Sequence, residues 1–285
     1  MKTTQRRAFG RAITLTLMTV GLVAGLVAGP AAASPKEPLN YVSLGDSYAA
    51  GFGAGSYLNA CGQSPLGLPT LLDAERKIQL TFNATCSGAE AAVDPDNMVP
   101  DLPDQLAGLI GAGLIGSETD LITLSAGGND LDFGTVLSVC ASQSLNTCEQ
   151  LIKATEAQAR TSLSTSLNVL YQGVRSGAPN SQVIVTGYPH LFSPKFGSEF
   201  PLSVKAQKLF NKGTDTLNKV IKKAAKDNGF EYVSVVKEFD GHGIGSPNPW
   251  IKFTGTFAID DFHPNASGYR YGYFEEVFDE VEFRR

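Results

Sequence analysis

Five short apolar runs, separated by stretches with helical periodicity, leave this chain few folds to choose from. The runs cover residues 40–44, 77–84, 120–127, 181–189 and 230–236. The first, third and fourth ("NYVSL", "DLITLSAG", "SQVIVTGYP") are nearly continuous in apolar and β-branched residues, as expected for strands covered on both faces. Over residues 148–177, Ile152, Ala159, Leu163, Leu167, Leu170 and Val174 recur at helical spacing. A second helical pattern spans 204–228 and is stopped by Gly229; a third spans 265–281, with Asn265 or Ser267 as its cap. Strands alternating with helices predict an α/β fold around a parallel sheet with right-handed crossovers. In such folds ligands sit beyond the carboxyl ends of the strands. That places Ser47, the segment 127–130, His190 and residues 237–263 on the functional side.

Residues 1–33 read as a secretory signal peptide, leaving 34–285 as one domain. Lys2, Arg6, Arg7 and Arg11 form a positive region, an apolar stretch follows over 13–28, and Ala31, Ala32 and Ala33 offer a small-residue cleavage site. Export by the Sec route is expected, with the twin arginine of "QRRAFG" pointing to Tat as the alternative. A retained N-terminal anchor is the rival reading. Without the four basic residues of the leader, 19 basic residues face 28 acidic ones, a net charge of −9. Such a surface argues against nucleic acid and against stable insertion in an anionic membrane after signal removal, and a monomer is expected. The four cysteines fall into two local pairs, Cys61 with Cys86 and Cys140 with Cys148; in an exported chain these read as disulfides.

Tyr41–Gly55, "YVSLGDSYAAGFGAG", ends the first apolar run in a serine among backbone-freeing residues. A phosphate loop would need GxxxxGK[ST] or GxGxxG, and Gly51, Gly53 and Gly55 match neither. The GxSxG elbow is also missing around Ser47. A serine nucleophile needs a base. Of three histidines, His263 in "AIDDFHPNASG" is the best placed, with Asp260 three residues upstream to bond one ring nitrogen. Metal ligation by Asp260, Asp261 and His263 is the rival there. Asn129 in "SAGGNDLDF" either points its amide at a developing oxyanion or caps the next helix. Asp46 reads as a residue that bonds the turn or caps a helix. His190 and His242 read as loop or rim residues, and Trp250 as pocket wall or loop packing.

The blocks "GDSYAAG", "CSGAE", "GGND" and "DDFHP" occur in the order of the four sequence blocks of the SGNH (GDSL-type) hydrolases. Over residues 40–278 the chain resembles that family, and most of all its secreted actinobacterial lipase/esterase branch. The resemblance implies a three-layer α/β/α fold, flavodoxin-like, with about five parallel strands. It implies Ser47 as nucleophile, His263 as base and Asp260 as orienting acid, with the Ser47 N–H, Gly88 and Asn129 as oxyanion hole. Some family members use a backbone carbonyl in place of the acid. The branch often carries a third disulfide near the segment matching "FDGHGIGSPNPW", which has no cysteine here. The expected function is hydrolysis of small-molecule or lipid acyl esters, with no metal and no cofactor. A sugar deacetylase or acyltransferase on the same site, or an exported binding protein, are the alternatives.

Overall fold

The computed structural model describes residues 37–284, so the expected signal peptide at 1–33 lies outside the described residues. The strands are β1 (Leu39–Gly45), β2 (Ile78–Asn83), β3 (Leu121–Ser125), β4 (Gln182–Thr186) and β5 (Glu231–Val233). They form a five-stranded sheet of order β2-β1-β3-β4-β5, parallel throughout. The central strands are buried on both faces, which is why their sequences are continuous rather than alternating. β2, at an edge, is largely uncovered and carries polar residues.

The helices are α1 (Ser47–Ala50), α2 (Leu68–Asp73), α3 (Leu102–Gly111), α4 (Phe133–Ser142), α5 (Leu145–Gln158), α6 (Ser164–Gly177), α7 (Val204–Asp227) and α8 (Glu275–Glu280). α2 packs against β2 and against the π-helical turn Gly268–Phe274 that leads into α8. α3, α6 and α7 pack side by side in the other layer, with α5 against α7. This is the three-layer α/β/α architecture. The expected 148–177 helix is interrupted by a π-helical turn at Ala159–Leu163, which the i, i+3, i+4 pattern of apolar residues does not reveal. Asn265 caps the last helical segment, its side-chain oxygen accepting from Gly268 N at 3.0 Å.

Strand order reverses between β1 and β3, so the connections leaving their carboxyl ends run in opposite directions and leave a crevice above them. Gln105 on α3 holds that end of β1: its side chain accepts from Gly45 N at 2.9 Å and donates to Gly45 O at 3.1 Å. Both disulfides form as expected. Cys86 N donates to Gly45 O at 2.9 Å and Ser87 N to Cys61 O at 2.9 Å. The Cys61–Cys86 bridge therefore anchors the segment leading to Gly88 against the end of β1. It closes a loop with a sequence separation of 25, worth about 3 kcal/mol in the loop-entropy model. Replacing both cysteines by serine is expected to lower Tm by roughly 6–12 °C in a thermal melt. An unchanged Tm would show that this bridge contributes nothing to stability.

Candidate active site

The turn after β1 is built around a buried carboxylate. Asp46, 1% exposed, caps α1 by accepting from Tyr48 N at 2.9 Å and Ala49 N at 3.4 Å. It also accepts from the Ser125 hydroxyl at 2.5 Å and from the Tyr188 hydroxyl. Burial pushes its pKa up, and these hydrogen bonds oppose the shift. Gly45 enters the turn at φ +136°, and a Cβ there would meet Ala49 Cβ and Ser125 O at 2.7 Å. A side chain would force β1 away from β3, so the glycine before Asp46 is required by packing as well as by conformation.

Ser47, the first residue of α1, points its hydroxyl at His263: Oγ and Nε2 are 2.8 Å apart. The imidazole comes from the loop between β5 and the last helix. Gly53 lets it in, because a Cβ at that position would lie 2.6 Å from His263 Cβ and 2.5 Å from Pro264 O. The ring lies between Tyr48 and Phe52, each 5.1 Å away centroid to centroid. Its Nδ1 is 2.9 Å from the backbone carbonyl of Asp261. A carbonyl only accepts, so Nδ1 carries the proton and Nε2 presents its lone pair to the Ser47 O–H. Burial pulls the His263 pKa down to about 4, against the raising effects of the Asp261 carbonyl and the Asp260 charge.

Asp260 does not lie beneath the ring as its spacing suggested. Its Oδ2 accepts from the Tyr57 hydroxyl at 2.5 Å and pairs with Lys252 Nζ at 2.7 Å. Burial raises its pKa, but the bonds from Lys252 and Tyr57 outweigh that and leave it below the usual carboxylate value. The carboxylate thus has two donors elsewhere, and the backbone of the next residue occupies the position at Nδ1. Tyr57 and Lys252 are distant in sequence from this loop or unmarked by any motif, so nothing local announces the diversion.

Gly88 and Asn129 line the same cavity as Ser47 and His263. Gly88 adopts φ +91°, and the Asn129 amide donates one proton to Ala89 O at 2.9 Å, leaving its second N–H free to face the cavity. Helix α4 is capped by Asp132, which accepts from Thr135 N at 3.3 Å, so Asn129 is not the cap. Among the described residues, the N–H groups of Ser47 and Gly88 meet no acceptor. The Asp130 carboxylate grips the segment beyond Gly88 through Ala91 N at 3.0 Å. Burial raises the Asp130 pKa to about 6.

The cavity holds about 500 Å³ and is walled by Phe52, Tyr57, Phe133, Leu191, Leu217 and Ile259. That volume falls in the range of small-molecule sites. His190 pairs with Asp215 at 2.8 Å, and His242 stacks on Trp250 at 3.7 Å; neither histidine lines the cavity. Trp250 packs on Phe239 rather than forming the pocket wall. The cysteine-free loop around it is tied by backbone bonds, Trp250 N to His242 O and Ile244 N to Leu191 O, both 2.7 Å. Among the described residues, no group of three or more His, Cys, Asp or Glu is arranged to hold a metal ion.

A serine facing a neutral imidazole nitrogen, in the wall of a largely apolar cavity and at the switch point of a parallel sheet, is the arrangement that serine hydrolases use. Residues 43–271 match the GDSL-like lipase/acylhydrolase family. The chain is 35% identical over 248 residues to Lipase 1 of Streptomyces coelicolor, covering 85% of this chain and 87% of that one. It is similar in structure to the extracellular lipase of Streptomyces rimosus, with a TM-score of 0.74, 30% identity and coverage of 85% and 100%. The phospholipase A1 of Streptomyces albidoflavus is equally similar, with a TM-score of 0.74, 32% identity and coverage of 86% and 100%. The chain belongs to the GDSL-like (SGNH) lipase/acylhydrolase family and is a carboxylic ester hydrolase.

The depressed His263 pKa has a direct readout. An ordinary imidazole titrates near 6.5. In NMR of labelled histidine, the His263 ring is expected to titrate near pH 4. The unfolded chain then binds more protons than the folded one between about pH 6.5 and 4, so this group lowers stability on acidification through that window. A ring titrating at its ordinary value would contradict a partly buried imidazole held neutral by desolvation.

Proposed function

We propose that the protein is an exported esterase or lipase in which Ser47 is the nucleophile and His263 the general base. The Asp261 carbonyl takes the place of the triad acid. The observation that carries the reading is the 2.8 Å approach of Ser47 Oγ to His263 Nε2, with Nδ1 committed as donor to Asp261 O. Nε2 takes the Ser47 proton as Oγ attacks the acyl carbonyl. The oxyanion is received by the N–H groups of Ser47 and Gly88 and by the Asn129 amide. The tetrahedral intermediate expels the alcohol, which leaves with the proton from His263. Water, deprotonated by the same imidazole, then releases the carboxylic acid and restores Ser47. The scheme calls for no metal or cofactor.

The apolar walls favour an acyl chain over a sugar. Glycerides and phospholipids are the substrate classes to test first, since the relatives are lipases and a phospholipase A1. Export through a signal at residues 1–33, by the Sec or Tat route, is supported by the extracellular lipase among the relatives. No helix among the described residues is long and apolar enough to cross a membrane.

With p-nitrophenyl esters from acetyl to palmitoyl, Ser47→Ala is expected to lose at least about 1,000-fold in kcat. Asp260→Asn is expected to lose about tenfold or less, because Asp260 does not touch the ring. A buried acid that orients the base is worth about 10⁴ on removal. Full activity in Ser47→Ala would end this reading, and a loss near 10⁴ in Asp260→Asn would return Asp260 to the triad. Activity confined to the acetyl ester would favour a carbohydrate esterase.

A further inference from the structure

Behind the wall of the main cavity lies a second, smaller one. It measures about 60 Å³ and sits between α4, α5 and α7, reaching Val136 and Ile152. Gly128, Phe133, Thr214 and Leu217 line both cavities. The second space exists because the residues around it are small or held back. Gly213 and Thr214 present little bulk from α7, and a Cβ on Gly213 would already lie 3.3 Å from Ile152 Cγ2. Gly128 is likewise without a side chain on the shared wall. The Phe133 ring is only half-buried and rests edge-on against Phe210 at 5.5 Å. It is the bulkiest part of the partition. The space behind it is lined mainly by apolar side chains, and empty apolar cavities accept apolar guests.

We propose that this smaller cavity receives the terminal methylenes of the substrate acyl chain, with Phe133 as the partition, and so sets the preferred acyl length. The proposal rests on the reading of the Ser47 site as an ester hydrolase. The acyl carbonyl at Ser47 and the chain in the larger cavity leave the chain end pointing toward the shared wall formed by Gly128, Phe133 and Leu217. The second cavity is small, about 60 Å³, so it takes only the last few methylenes of a chain. Glu156 also lines it, and its carboxylate accepts from the Thr216 hydroxyl at 3.1 Å and pairs with Arg160 at 3.4 Å. A longer chain would strip water from that charge, which gives the subsite an upper limit. Methylenes placed there favour binding by about fourfold each.

The test compares kcat/KM for p-nitrophenyl esters from acetate to palmitate in wild type, Val136→Phe and Phe133→Ala. Val136 lines only the smaller cavity, so Val136→Phe fills the subsite and leaves the Ser47 site untouched. Its acetate and butyrate activities are expected within about twofold of wild type. Its profile stops rising a few carbons earlier, at least about tenfold below wild type at the wild-type optimum. Phe133→Ala, which joins the two cavities, is expected to shift the optimum to longer chains, and it carries the test if Val136→Phe does not fold. Active variants whose profiles superpose on wild type would overturn the subsite and leave the hydrolase reading standing. A wild type inactive on every ester would overturn both.

Discussion

The buried carboxylate of Asp46 is the joint on which the site is assembled. It takes donors from the turn after β1, from Ser125 at the end of β3 and from Tyr188 beyond β4. The Tyr188 hydroxyl in turn accepts from Gly128 N at 3.1 Å. One side chain therefore fixes the relative height of three strand ends around the crevice where strand order reverses. A carboxylate only 1% exposed must be satisfied by the protein, and that requirement makes the geometry of the Ser47 turn and the Gly128–Asn129 turn a single unit. Removing the carboxylate would leave two hydroxyls and two backbone N–H groups without their acceptor, so the loss would reach well beyond the α1 cap.

The imidazole is delivered from a different part of the fold, and its orientation is set by main chain rather than by a charge. The Asp261 carbonyl fixes the tautomer, the Tyr48 and Phe52 rings fix the plane, and Gly53 makes room. The Tyr48 hydroxyl also donates to Phe262 O at 2.7 Å, so the serine helix and the histidine loop grip each other directly. Asp260 stays within electrostatic reach of the ring while binding Tyr57 and Lys252, and thereby ties a wall of the cavity to the histidine loop. An imidazole held neutral by burial suits a base that must accept a proton only at the moment of attack.

Much of this was legible in the sequence, for physical reasons that differ by element. β1, β3 and β4 were visible because strands buried on both faces must be continuously apolar. Ser47 and Asn129 were visible because each follows a strand end where backbone freedom and chemistry coincide, His263 because a serine needs a base and few histidines are present, and Gly88 only through the resemblance of its block to the family. The break at Ala159–Leu163 was not, because a π-helical turn leaves the apolar pattern intact. The position of Asp260 was misjudged because spacing along the chain limits which groups can meet but not which of several donors wins. Gln105 and Tyr188 went unseen for a related reason: they act on backbone or carboxylate partners brought near only by the fold, and neither carries a local signal.

The most direct test of the Ser47–His263 pairing is covalent capture with a serine-directed alkyl phosphonate, read by intact mass and peptide mapping. The expected result is one adduct per chain, on Ser47, with activity lost in proportion to labelling. A His263→Ala variant should label far more slowly, since the serine loses its base. Labelling at another residue, or full labelling that leaves ester hydrolysis intact, would contradict the assignment of Ser47 as the nucleophile.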